Sequence, residues 1–199
     1  MSALLAAAEE VFADRPLEAV TVEEIARSAG VAVTSIYNHF GSKEGLFAEL
    51  VDRALDVDRE YMDIAYTPDK TPTEQISAAG AQYLRFYFEH PQFFRILAFP
   101  NDPGSFPAAA EISTRLAQRV DDQNARLRTA LQRGMANGSV REVDADRAAT
   151  VLWAAWNGII SLAWRHDTLQ VDEPTLRELI RLAGDIVANG LATPTARQA

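Results

Sequence analysis

At 199 residues, with 48% hydrophobic and 24% charged side chains, the chain has ordinary globular usage and length for one small domain plus a larger one with a real core. A formal charge of −9 excludes nucleic-acid binding through bulk positive charge, so any such binding must rest on a local, geometrically specified surface. The absence of cysteine excludes disulfides and thiolate metal sites and fits a reducing cytoplasm, where the protein is expected to reside.

The apolar run from Leu4 to Ala8 lacks a positive flank and leads into Glu9 and Glu10, so it reads as a first amphipathic helix with Leu4, Ala8, Val11 and Phe12 on one side. No run is long enough to span a bilayer, and no membrane partner is expected. Thr21 followed by Glu24 is a capping box that starts a second helix at Val22. Val22, Ile25, Ala26 and Ala29 give that helix one buried face, and Gly30 supplies the left-handed residue that ends it. After a sharp turn, Val33 to His39 is too short to be stable alone. It buries Ile36 and Phe40 and leaves Thr34, Ser35, Tyr37, Asn38 and His39 for the outer surface. Ser42 is a suitable N-cap for a long helix over 43–65 carrying Leu46, Phe47, Leu50, Val51, Ala54 and Leu55.

Residues 67–72, TPDKTP, read as a loop, and Ile76, Ala79, Tyr83, Phe86 and Tyr87 mark a helix ending before Pro91. A short aromatic helix follows from Gln92 to Phe99, then a proline-rich loop over 100–107. A long helix runs from Ala108 to Ala136, with Ile112, Leu116, Val120, Leu127 and Leu131 inward, and Asn137-Gly138 caps it. The densest apolar segments are a helix from Asp144 or Ala145 to Arg165 and another from Glu173 or Pro174 to Asn189, with Gly190 as the exit. Residues 191–199 read as a frayed tail. The fold class is therefore all-α, about nine helices: an N-terminal three-helix helix-turn-helix domain over 1–47, and a larger helical bundle over 48–199. Helix 43–65 links the two.

The stretch GVAVTSIYNHFGSKEGLF resembles the DNA-binding signature of the TetR-type (TetR/AcrR) transcriptional regulators. The resemblance is close over residues 3–53 and architectural beyond. It implies that Thr34, Ser35 and Tyr37 face the major groove or its edge, with Val33 and Asn38 on the same short helix. It implies too that His39 and the helix start at Lys43 hold phosphates, with Thr21 doing so at the preceding helix. The chemistry suits these roles: Thr and Ser hydroxyls reach base edges, the Thr34 methyl can pack on a thymine methyl, and a phenol or imidazole reaches a phosphate oxygen as a single donor. Two departures reduce charge attraction. Many relatives carry Lys or Gln at the position of Val33, and a basic arm ahead of the first helix, where this chain begins MSALLAAAEE. Four cations face nine carboxylates over residues 1–53, a formal charge of −5.

The resemblance further implies a homodimer through helices 145–165 and 174–189, reading palindromic operator DNA as two half-sites. It also implies a small-molecule effector whose binding releases the operator, as in a repressor. Aromatic residues crowd the middle of the chain, and most of them must be core. Gln82, Tyr83, Phe86, Phe94, Leu97, Leu127, Trp153, Trp156 and Asn157 are the candidate effector contacts. Asn157 stands out because a buried amide on an apolar helix needs a partner, which is either another side chain or a ligand. With few buried charges expected, the effector is largely hydrophobic. No HExxH, no Ser-His-Asp order and no glycine-rich phosphate loop appears, so neither catalysis nor a cofactor or metal is expected. The acidic first domain supports a second reading, a helical ligand- or protein-binding module whose DNA binding is weak or lost.

Overall fold

The computed structural model describes residues 2–12, 19–98 and 109–191. The loop expected over 100–107, the end of the aromatic helix at Phe99 and the tail from 192 onward lie outside them. Among the described residues there are nine α-helices, α1 Ser2–Phe12, α2 Val22–Ala29, α3 Val33–Phe40, α4 Lys43–Ala65, α5 Pro72–Glu89, α6 Pro91–Ala98, α7 Ala109–Ala136, α8 Ala145–Ser161 and α9 Glu173–Leu191. No described helix is long and apolar enough to cross a membrane. The chain divides into two compact units, Met1–Arg59 with Glu89–Arg119, and Glu60–Phe88 with Val120–Ala199.

Caps set most of the boundaries. Thr21 and Glu24 form the expected box: the Glu24 amide donates to the Thr21 hydroxyl at 3.2 Å and the Thr21 amide donates to the Glu24 carboxylate at 2.9 Å. The Gly45 amide donates to the Ser42 hydroxyl at 3.0 Å, the Arg147 amide to Asp144 at 3.0 Å and the Thr175 amide to Asp172 at 3.0 Å. A second box, Thr71 with Glu74, lies in the segment that reads as loop, and Pro72 is the first residue of α5. The helix expected to reach Arg165 stops at Ser161 and tightens into a 3-10 turn, Leu162–Trp164. The Ser161 hydroxyl donates to the Gly158 carbonyl at 2.7 Å, one of the local side-chain bonds that compete with helical pairing. Gly190 does not end α9. It lacks the positive φ that would terminate the helix, and its carbonyl accepts from Arg141 Nε.

In the first unit Leu4, Ala8, Phe12, Ile25, Ile36, Leu46, Leu50 and Phe94 are buried, and the rings of Phe12 and Phe47 meet edge-on at 5.2 Å. Their inward faces follow the three- and four-residue spacing of the sequence. Two ion pairs join α4 to α7 in this unit. Arg115 Nη1 donates to both Asp52 carboxylate oxygens at 2.6 Å, and Arg119 Nε donates to Asp58 at 3.0 Å. Their surroundings differ, since Asp58 is 1% exposed while the Asp52 side chain is 44% exposed. The second unit has its core in Ile76, Tyr83, Phe86, Leu127, Leu131, Leu152, Trp156, Ile160 and Leu176.

Removing one member of a buried pair strands its partner, whereas an exposed pair contributes little. Asp58→Ala is therefore expected to lower the unfolding free energy by about 3 kcal/mol and Asp52→Ala by less than about 1 kcal/mol, measured by urea denaturation. Equal losses would contradict the ranking by burial.

Candidate functional site

In the first unit the site begins with the turn between α2 and α3. Gly30 has φ of +67°, and its amide and that of Val31 bond the carbonyls at the end of α2, which reverses the chain within two residues. On the eight-residue α3 Ile36 is fully buried, so Thr34, Tyr37 and Asn38, three and four apart, share the opposite, exposed face. Tyr37 is 49% exposed, unusual for an aromatic ring. His39 is exposed beside them, while Val33 and Ser35 are half-buried at the flanks. The Thr21 hydroxyl is exposed but committed to its capping box, both accepting from the Glu24 amide and donating to the Glu24 carboxylate at 3.0 Å. Lys43 Nζ donates to the Val20 carbonyl at 2.9 Å, which ties the start of α4 to the segment entering α2.

A feature that spacing did not reveal holds α3 in place. A Cβ on Gly45 would stand 2.1 Å from the Phe40 carbonyl oxygen, so α4 opens directly against the last residue of α3 only because position 45 has no side chain. The signal in the sequence was the glycine in the first turn of a helix, a position where it costs helix propensity.

In the second unit, Asn157 is buried with its amide satisfied: Tyr83 Oη donates to Asn157 Oδ1 at 3.0 Å, and Asn157 Nδ2 donates to the Trp153 carbonyl at 2.9 Å. The Tyr83 and Trp156 rings lie 6.3 Å apart, and Phe86 meets Tyr61 at 5.6 Å. Gln82 Oε1 is buried and makes no hydrogen bond among the described residues. Beside this cluster is a cavity of about 670 Å³, walled by Ile76, Gly80 and Leu84 of α5, Leu152 and Trp156 of α8 and Ile180 of α9. Its α5 wall extends from Thr73 to Leu84, roughly 16 Å along the helix axis. Arg177, Arg181 and Asp185 also line it, each arginine held by a carboxylate four residues away. Of the expected effector contacts, Trp156 lines this cavity, and Tyr83 and Asn157 form the hydrogen-bonded pair beside it. Gln82, Phe86, Leu127 and Trp153 belong to the same unit, whereas Phe94 and Leu97 belong to the first. Sequence reasoning did not single out the α9 wall.

On the same unit Val151, at 65%, Leu182, at 51%, and Ile186, at 63%, are exposed on α8 and α9. Val151 and Ile186 follow the apolar spacing of these helices, yet they are exposed while Leu152, Ile160, Leu176 and Ile180 are buried.

Residues 4–50 match the family described as bacterial regulatory proteins, tetR family, and residues 76–187 match the tetracyclin repressor-like C-terminal domain. The HTH-type transcriptional regulator EthR of Mycobacterium tuberculosis is 33% identical over 88 residues, 44% of this chain. The chain thus spans only 39% of that curated relative. The uncharacterized HTH-type transcriptional regulator YhgD of Bacillus subtilis is 25% identical over 184 residues, 90% of this chain and 91% of that protein. Among solved structures, the ketosteroid transcriptional regulator KstR2 of Mycobacterium tuberculosis superimposes with a TM-score of 0.75 at 22% identity, covering 96% of this chain and 94% of that one. That likeness is one of fold.

The approach of α4 to Phe40 yields a direct test. Gly45→Ala is expected to destabilise the protein by about 2 kcal/mol through the clash with a backbone oxygen, and to shift amide resonances of α3 in a two-dimensional NMR spectrum. Unchanged stability and α3 resonances would show that position 45 does not hold the short helix.

Proposed function

The chain belongs to the TetR family of bacterial regulatory proteins, and from that premise we propose that it is a ligand-responsive transcriptional regulator. On this reading it acts as a repressor, binding palindromic operator DNA as a homodimer in the cytoplasm until a small, largely hydrophobic effector releases it. The observation that carries the reading is the face of α3, where Thr34, Tyr37 and Asn38 stand exposed together on a helix whose other side is fixed by Ile36. Such a surface offers hydroxyl and amide groups to base edges and a phenol to the groove edge or a phosphate.

Roles follow from the chemistry of each group. Thr34 and Ser35 are assigned to base edges with Tyr37 beside them, Asn38 and Val33 to groove contacts, and His39, Lys43 and Thr21 to phosphates, the last once its hydroxyl turns from the Glu24 carboxylate. Residues 1–47 form the reading module and residues 48–199 carry effector binding and dimerisation. The exposed side chains of Val151, Leu182 and Ile186 support pairing of α8 and α9 with a second copy, since the two half-sites of a palindrome need two reading helices. The elongated cavity beside Trp156 supports a largely apolar effector along its α5 and α8 walls, with the paired Arg177, Arg181 and Asp185 as its polar edge, the Tyr83 and Asn157 pair beside it and the buried Gln82 oxygen as an acceptor elsewhere in the bundle. The continuous helix α4 has residues in both units and is the covalent route by which an effector changes the reading helices. Release requires that the effector prefer the state that does not bind operator.

The formal charge of −5 over residues 1–53 favours the alternative, a ligand- or protein-binding module without DNA activity. Selection of genomic fragments on the immobilised full chain separates the two. The regulator reading expects a recurring inverted repeat to be enriched. Thr34→Ala is expected to change which fragments are enriched, whereas Lys43→Gln, which keeps a donor for Val20 but deletes the charge, is expected to weaken every fragment alike. No enriched fragment would favour the module without DNA activity.

A further inference from the structure

A second, smaller cavity of about 280 Å³ lies in the second unit, lined by Tyr66, Gln75, Arg126, Thr129 and Arg133 with Ala125 and Ala130. Every charged side chain among its lining residues is a cation, in a protein whose formal charge is −9. Arg126, Thr129, Ala130 and Arg133 recur three, four and seven residues apart on α7, so they share one face of the helix, and the two alanines leave room between the arginines.

Both guanidinium groups are held in place before any ligand arrives. Arg133 Nη1 donates to Gln75 Oε1 at 3.3 Å, and Gln75, 4% exposed, is itself fixed because its Nε2 donates to the Thr67 carbonyl at 2.9 Å. Arg126 pairs through Nη2 with Asp63 and lies over the Tyr66 ring, 5.2 Å from the centroid. Each bond uses a small part of a guanidinium that carries five N–H donors, so most donors of both arginines are left. A phenol is protonated at neutral pH in any case, and burial raises Tyr66 further, more than the nearby Arg126 lowers it.

We propose that this cavity is an oxyanion site, taking a phosphate or phosphate-ester group between Arg126 and Arg133. Planar guanidinium forks suit the paired oxygens of such an anion, and preorganisation by Gln75 and Tyr66 lowers the entropic cost of binding. A bound anion would bridge α7 to the turn between α4 and α5, where Tyr66 stands. The site shares no lining residue with the cavity beside Trp156 and is independent of the operator reading.

The test uses the full chain and inorganic phosphate, with ionic strength held constant by sodium chloride, and follows thermal melting together with isothermal titration. The expected result is saturable binding of one phosphate per chain. Arg133→Gln is expected to weaken it at least tenfold, and Arg126→Lys, which retains charge but loses the fork, by several-fold. Arg59→Gln, at an exposed arginine on α4, should leave the midpoint unchanged. Melting without phosphate reports on folding, and should Arg133→Gln melt early, the charge-preserving Arg126→Lys decides. Glycerol phosphate assigns the source: tighter binding than inorganic phosphate means the anion is one end of a larger molecule, and weaker binding means the free ion. A melting temperature that rises without saturation, equally in parent and both cavity variants, would reflect general exclusion of phosphate from protein surfaces and overturn the proposal.

Discussion

The placement of α3 depends on the missing side chain at Gly45. An eight-residue helix has no stability of its own, since nucleation costs more than so few hydrogen bonds return. α3 is held from one side by Ile36 in the core and at its end by the Phe40 carbonyl resting against the first turn of α4. Lys43 adds a third restraint by bonding the Val20 carbonyl, which brings the entry to α2 into the same assembly. The orientation of Thr34, Tyr37 and Asn38 is thus set by α4. A helix so placed presents its polar face as a rigid surface, and rigid placement lets neutral donors discriminate between bases.

Charge is spent inside the molecule. Arg115, Arg119, Arg126, Arg128, Arg165, Arg177 and Arg181 are each paired with a carboxylate of the same chain, and four of these pairs, on Asp52, Asp58, Asp63 and Asp146, join residues far apart in sequence. With a formal charge of −5 over residues 1–53 and the chain's arginines so engaged, there is little long-range attraction for a polyanion. Affinity for DNA then depends on short-range fit. This accords with a face of hydroxyl, phenol, amide and imidazole groups rather than a basic stripe, and it implies low background binding.

Much of the fold was legible because caps and apolar spacing are local. Thr21 with Glu24, Gly30, Ser42 and Asp144 announced their helix ends within three residues, and the turn-helix pair carried the family resemblance. What was not legible depended on partners distant in the chain. Asn157 and Tyr83 are 74 residues apart, so the sequence could pose the question of the buried amide without naming its partner. The purpose of Gly45 appeared only with the position of the Phe40 carbonyl. The box at Thr71 was hidden by two prolines that suggested a loop, though the second of them simply opens a helix. Val151 and Ile186 followed the apolar period, yet spacing cannot say whether an apolar face meets its own chain or a second copy.

The central claim is that operator recognition rests on geometry with few charged contacts, and the salt dependence of binding to an enriched fragment tests it most directly. Two to four phosphates neutralised by charged side chains per dimer, neutral contacts such as that of Thr21 not counting, correspond to a slope of log affinity against log salt of roughly −2 to −4. A slope of about −8 or steeper would mean that many phosphates are neutralised, and would contradict the account.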